Sequence, residues 1–180
     1  MKEEIERSLK ILINMRLKDI GRSADLEWFV FNVYELLESN RKDEQLHAEY
    51  TLHAECAWRI VDQDGIVVGS RDRYYRAGLD PYLDIIEFEW DVPGSNRCDE
   101  RINNLRKSRA DKPLIVLSIE ADNYGGLRIR FSDEFTLELF PDDSLEGEYW
   151  RFFRLNSSSS HFVVTGKGVK VSRDQEINKT

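Results

Sequence analysis

The sequence predicts an α+β fold built mainly on antiparallel β-sheet, with an N-terminal helix and a short central helix. Three observations carry this reading. Apolar residues recur at helical spacing in the first thirteen positions, strict apolar and polar alternation runs through residues 49–61, and short β-rich segments separated by turn residues follow Pro113. The sheet is expected to be a meander, with a curved or barrel-like sheet as its alternative form. A chain of 180 residues suits one core of ordinary size, so residues 1–172 are expected to form a single domain and residues 173–180 a flexible tail.

Ile5, Leu9 and Leu12 share one helical face, and Glu3, Glu4 and Glu6 lie at the start, where the helix dipole favours negative charge. Residues 26–37 fit two patterns. Leu26, Phe29, Val30, Val33 and Leu37 would suit a helix capped by Ser23, whereas crowded aromatic and β-branched residues favour a strand through Phe31; we favour the strand. From Glu49 to Val61, Tyr50, Leu52, Ala54, Cys56, Trp58 and Ile60 alternate with Glu49, Thr51, His53, Glu55 and Arg59, which reads as one long strand with one buried face. Asp64-Gly65 between apolar runs then predicts a hairpin, because the central residues of a type I′ turn need positive φ.

Residues 71–113, broken by Pro81, Pro93 and Gly94, read as irregular, with a short helix after Ser95 that buries Ile102 and Leu105. The segments LIVLSIEA, LRIRFS, FTLELF, EYWRFFRL and HFVVTG then form the antiparallel series. Facing residues must share a side of the sheet, which sets the register of the second and third. Phe131 is matched with Phe135, Ile129 with Leu137 and Leu127 with Leu139, leaving Ser132, Asp133 and Glu134 as the loop and placing Arg128 opposite Glu138. Ser157–Ser160 reads as a hairpin tip, and the chain is expected to fray after Val171.

Lys and Arg total 26 against 34 Asp and Glu, a formal net charge of -8. That balance opposes the counterion release that drives nucleic-acid binding and suits a basic protein partner. Arg97, Arg101, Arg106, Lys107 and Arg109 do cluster, but acids interleave them. The N-terminus has no apolar stretch long enough for a signal peptide, and no run approaches the ~20 apolar residues that span a bilayer, so no membrane partner is expected and a cytoplasmic location is. Two cysteines, Cys56 and Cys98, read as reduced intracellular thiols.

His53 and Cys56 spell H-x-x-C, yet three positions apart on a strand puts them on opposite faces, so no metal site is assigned. Nucleophile elbow, P-loop, dinucleotide and zinc-protease motifs are missing, so no catalytic residue and no cofactor are assigned. Gly125-Gly126 reads as a tight turn, and Trp58, Trp90, Trp150, Phe152 and Phe153 as core in preference to a ligand pocket. Asp99 and Glu100 are accounted for by helix capping and the first-turn dipole. The strongest remaining constellation is FPDDSLEGEYW, which gathers Asp142, Asp143, Glu146 and Glu148 about a turn where they could bind a divalent cation or accept a cationic partner; the absence of a histidine or fixed-spacing ligand set favours a basic protein.

The segments RSADLEW, LHAECAWRIVD, GSRD, LELFPDDSLEGEYWRFF and HFVV resemble a family of uncharacterised bacterial proteins of similar length, over most of the chain. The resemblance implies a bacterial, cytoplasmic protein and brings no catalytic or binding role with it. The functional expectation is a non-enzymatic protein that binds another protein through an acidic surface, in the manner of an immunity protein. The alternatives are an accessory subunit of a larger assembly, or a ligand-binding or hydrolytic enzyme with a pocket in the sheet and Asp62, Asp91 or Asp143 as its carboxylates.

Overall fold

The computed structural model describes residues 1–33, 49–78 and 87–172. It is α+β, with eleven described strands in two open antiparallel sheets. Helix α1 (Lys2–Leu9) continues as one 3₁₀ turn to Leu12 and buries Ile5, Leu9 and Leu12, the apolar face read from the sequence. Strands β1 (Met15–Ser23), β2 (Leu26–Val33), β3 (Glu49–Ala54), β9 (Glu148–Arg154), β10 (His161–Thr165) and β11 (Gly168–Ser172) form the first sheet in the order β1-β2-β3-β9-β10-β11. Strands β4 (Ala57–Asp62), β5 (Gly65–Gly69), β6 (Val116–Ala121), β7 (Leu127–Phe131) and β8 (Thr136–Phe140) form the second, in the order β5-β4-β8-β7-β6.

Residues 26–33 are strand, as favoured, with Phe29, Phe31 and Val33 buried on one side; Leu37 lies outside the described residues. The alternating run from Glu49 to Val61, expected as one strand, is two strands in two sheets. The chain leaves β9 and joins β8 at Glu55 and Cys56, whose N–H groups both donate to the Tyr149 carbonyl at 2.9 and 3.1 Å. Both halves face the same core, so the alternation passes through the crossing unbroken.

The hairpin after β4 is present, but its turn is not type I′. Asp62 pairs with Gly65, leaving Gln63 and Asp64 central, and neither has positive φ; only Gly65 does, at 141°. The Asp62 carboxylate holds the turn by accepting from the N–H groups of Asp64 and Gly65.

The β7–β8 register is the one read from the sequence: Leu127 faces Leu139, Arg128 faces Glu138 and Ile129 faces Leu137, around a loop of Ser132–Glu134. The expected single series of strands is instead divided. Strands β6, β7 and β8 form a meander in one sheet, and β9, β10 and β11 are hairpin-linked in the other. Strand β11 ends at Ser172. Residues 173–180 lie outside the described residues.

Helix α2 (Arg97–Ser108) begins at Asn96, whose side chain accepts from the Asp99 N–H, and buries Cys98, Ile102 and Leu105. Both sheets and both helices contribute to one core, joined where Phe29 meets Trp58 edge to face at 5.1 Å. Trp58, Trp150, Phe29 and Phe31 are almost completely enclosed, and each aromatic burial contributes about 1.5–3 kcal/mol. Among the described residues no helix is long and apolar enough to cross a membrane.

Candidate functional site

Three turns that are far apart in sequence meet where the chain crosses between the sheets. The β1–β2 turn supplies Asp25, the crossing supplies Glu55 and Cys56, and the start of the β8–β9 loop supplies Asp142. Together with Ser70, Arg71, Arg73 and Tyr74 from the 3₁₀ turn after β5, they line a cleft of about 340 Å³.

The floor of the cleft is rigid. Arg73 is buried, donates Nε to the Ser70 carbonyl at 2.6 Å and Nη1 to the Asp25 carbonyl at 2.5 Å, and reaches Glu27 Oε2 at 3.5 Å. Its positive charge is therefore directed inward, away from the rim. Asp72 fixes the same turn by accepting from the Gly69 N–H at 2.9 Å.

The rim is acidic. Glu55 is exposed and makes no ion pair among the described residues; its carboxyl is raised above the ordinary range by partial burial and then by the negative charges of Glu148 and Asp25, with Arg151 opposing. Burial, followed by the nearby Asp142 carboxylate, pushes the Cys56 thiol up to about 12, which keeps it protonated and unreactive. Asp142 meets the Ala57 N–H only at 3.4 Å, so its carboxylate is held loosely.

The four acids singled out in the sequence have different fates. Asp142 joins the cleft. Asp143 is exposed beside it, with Oδ1 accepting from the Leu145 N–H at 2.8 Å, and Tyr149 Oη stitches this loop by donating to the Asp143 and Leu145 carbonyls. Glu146 instead makes an exposed pair with Lys167, and Glu148 is gripped by Arg151 through Nε and Nη2. Asp25 and Glu55 were not anticipated. No local motif marks them, because only the fold brings the β1–β2 turn beside the crossing.

A second, partly buried ionic system joins β1 and α2. Arg22 grips Asp99 through Nε and Nη2 at 2.7 and 2.8 Å, and Asp99 also accepts from the Gly94 N–H. Arg22 further donates to the carbonyls of Ala24, Trp90, Asp91 and Val92, pinning the loop before α2. These bonds saturate the guanidinium, and Asp99 is held below the usual carboxylate range although its burial opposes this, through the Arg22 hydrogen bonds. The arrangement is a clamp, and it leaves Arg22 no donor for a substrate.

Comparison with protein-family models, curated proteins and solved structures finds no match for the chain.

The carboxylates of the enzymatic alternative are separated: Asp62 lies at the far end of β4 from Ala57, which touches Asp142, and Asp91 lines a different cavity beside Arg22. His53 packs on Phe153 while Cys56 enters the core, as opposite faces require. Exposed Tyr74 and Tyr75 are adjacent, and Tyr74 meets the Trp90 ring at 5.5 Å, whereas three other exposed apolar side chains are far apart. Ile66 and Leu117 sit on the two opposite edge strands of the second sheet, four strand spacings or roughly 19 Å apart, and Val171 is on the edge of the other sheet.

Proposed function

We propose that the protein binds a basic segment of another protein at the acidic cleft, in the manner of an immunity protein that neutralises its partner. The observation that supports this reading is the convergence of Asp25, Glu55 and Asp142 from three separate turns on one cleft, with Glu55 raised by its acidic neighbours and carrying no cationic partner among the described residues. Carboxylates that repel one another gain when a Lys or Arg from outside enters between them, and the inward-turned Arg73 does not supply that charge. Asp143 extends the acidic rim.

The test is capture from a bacterial lysate at low and high salt by the wild type and by Glu55→Lys/Asp142→Lys. A single basic protein retained at low salt, released at high salt and lost by the variant supports the reading. A partner held equally by wild type and variant, or no partner at either salt, overturns it.

A further inference from the structure

Adjoining the cavity of the Arg22 clamp, toward the C-terminal end of α2, lies a further cavity of about 290 Å³ between β1 and the segment that ends the helix. Arg16 and Lys18 reach it from β1, and Arg106 and Arg109 from α2 and its cap; Asp19 is the single acid in its lining. Glu49 and Asp133, just outside the lining, pair with Lys18 and Arg109, so four cations less three anions leave a formal charge of +1 there, in a chain whose net charge is -8. The floor is aliphatic, with Ile20, Leu105 and Leu114 all buried.

The cations are arranged in two ways. Arg16 Nε donates to the neutral Asn32 at 2.8 Å, and Arg109 lies 4.4 Å over the Phe135 ring while donating to Asp133, so both are held in place. Lys18 pairs with Glu49, and Arg106 donates Nη2 to Asp19 at 2.5 Å and to the Ile20 carbonyl, and Nη1 to Asn103 at 3.1 Å. Their pairs with Glu49 and Asp19 are exposed, at 41% and 28% for the first pair and 44% and 47% for the second, and such surface pairs contribute only about 0–1 kcal/mol. A ligand carboxylate can therefore replace them.

Lys18 occupies this position because β1 bulges there: Leu17 faces Phe31 and Asp19 faces Val30, leaving Lys18 as the extra residue that turns the strand. The dipole of α2 accounts for basic residues in its last turn but not for Arg16 and Lys18, which come from a strand.

We infer that this cavity is a binding site for a small organic anion with an apolar body, its charge held by Lys18 and Arg106 and its body lying on Ile20, Leu105 and Leu114. The volume, close to the lower end of small-ligand sites, and the net negative charge of the chain both disfavour a polyanion. The site shares none of its lining with the acidic cleft and stands independently of the reading given to that cleft.

The experiment is a nuclear magnetic resonance titration of the full-length chain with 4-phenylbutyrate and, separately, with 4-phenylbutylamine, which has the same body and the opposite charge. Saturable shifts are expected with the carboxylate alone, centred on amides of residues 16–20 and 105–114. Lys18→Gln/Arg106→Gln should weaken binding about tenfold or more while its spectrum remains that of a folded protein; a second variant, Lys18→Gln alone, should weaken it less and guards against loss of folding in the double variant. Absence of saturable shifts, equal response to the amine, or shifts centred elsewhere would overturn the inference.

Discussion

A carboxyl group sealed in an aromatic core is tolerated when it is neutral or well paired, and Glu27 illustrates the first case. Its side chain is fully enclosed, Oε1 lies 3.9 Å from the Cys98 thiol, and Oε2 makes no hydrogen bond among the described residues although Arg73 stands 3.5 Å away. Burial pushes its pKa from 4.5 up to about 8 against the pull of Arg73 and Arg22. The unfolded chain releases this proton near 4.5 and the folded chain keeps it to about 8, so the folded state binds more protons across that window. Stability from this group is complete below 4.5 and is lost as the pH rises to about 8, with a slope of at most about 1.4 kcal/mol per pH unit. Glu27→Gln, which mimics the neutral acid, should flatten that dependence and exceed the wild type in stability on the alkaline side. Denaturant unfolding on both sides of the window measures this; parallel curves for the two proteins would contradict it.

Among the elements, the β7–β8 hairpin was the most legible, because two rows of apolar residues and an Arg128–Glu138 pair admit one register. Its loop holds two consecutive left-handed residues, Asp133 at φ 56° and Glu134 at φ 63°. Asp133 offsets this through Arg109 and Lys112, both at 2.7 Å, whereas Glu134 is exposed and makes no ion pair among the described residues. Glu134→Gly should therefore raise stability by roughly 0.5 kcal/mol, the relief of strain exceeding the added freedom of the unfolded chain. A lower denaturation midpoint for the variant would contradict it. Other elements were hidden for definite reasons. The bulge at Lys18 breaks the alternation of β1, so that Met15 and Ile20, five positions apart, both enter the core. Strand β11 is an edge with Val171 largely exposed, and so has no buried face to leave a pattern. The crossing at Glu55 was hidden because its two halves share one core.

At the scale of the whole molecule, charge is sorted: an acidic cleft at the sheet crossing, a cationic cavity at the end of α2, and a clamp of Arg22 and Asp99 holding α2 against β1. Of the acidic cleft and its rim, only Asp142 and Asp143 could be read from the sequence, because turn-rich acidic loops are local features. Asp25 and Glu55 acquire their role from long-range packing, which no local spacing records. These converging carboxylates are proposed to form a receptor for cationic side chains. Calorimetric titration of the full chain with a short lysine- and arginine-rich peptide, against Asp25→Asn/Glu55→Gln/Asp142→Asn, measures this. Salt-sensitive one-to-one binding is expected, weakened about tenfold in the variant, with unfolding stability unchanged. Equal affinity of variant and wild type for the peptide, or binding indifferent to salt, would contradict it.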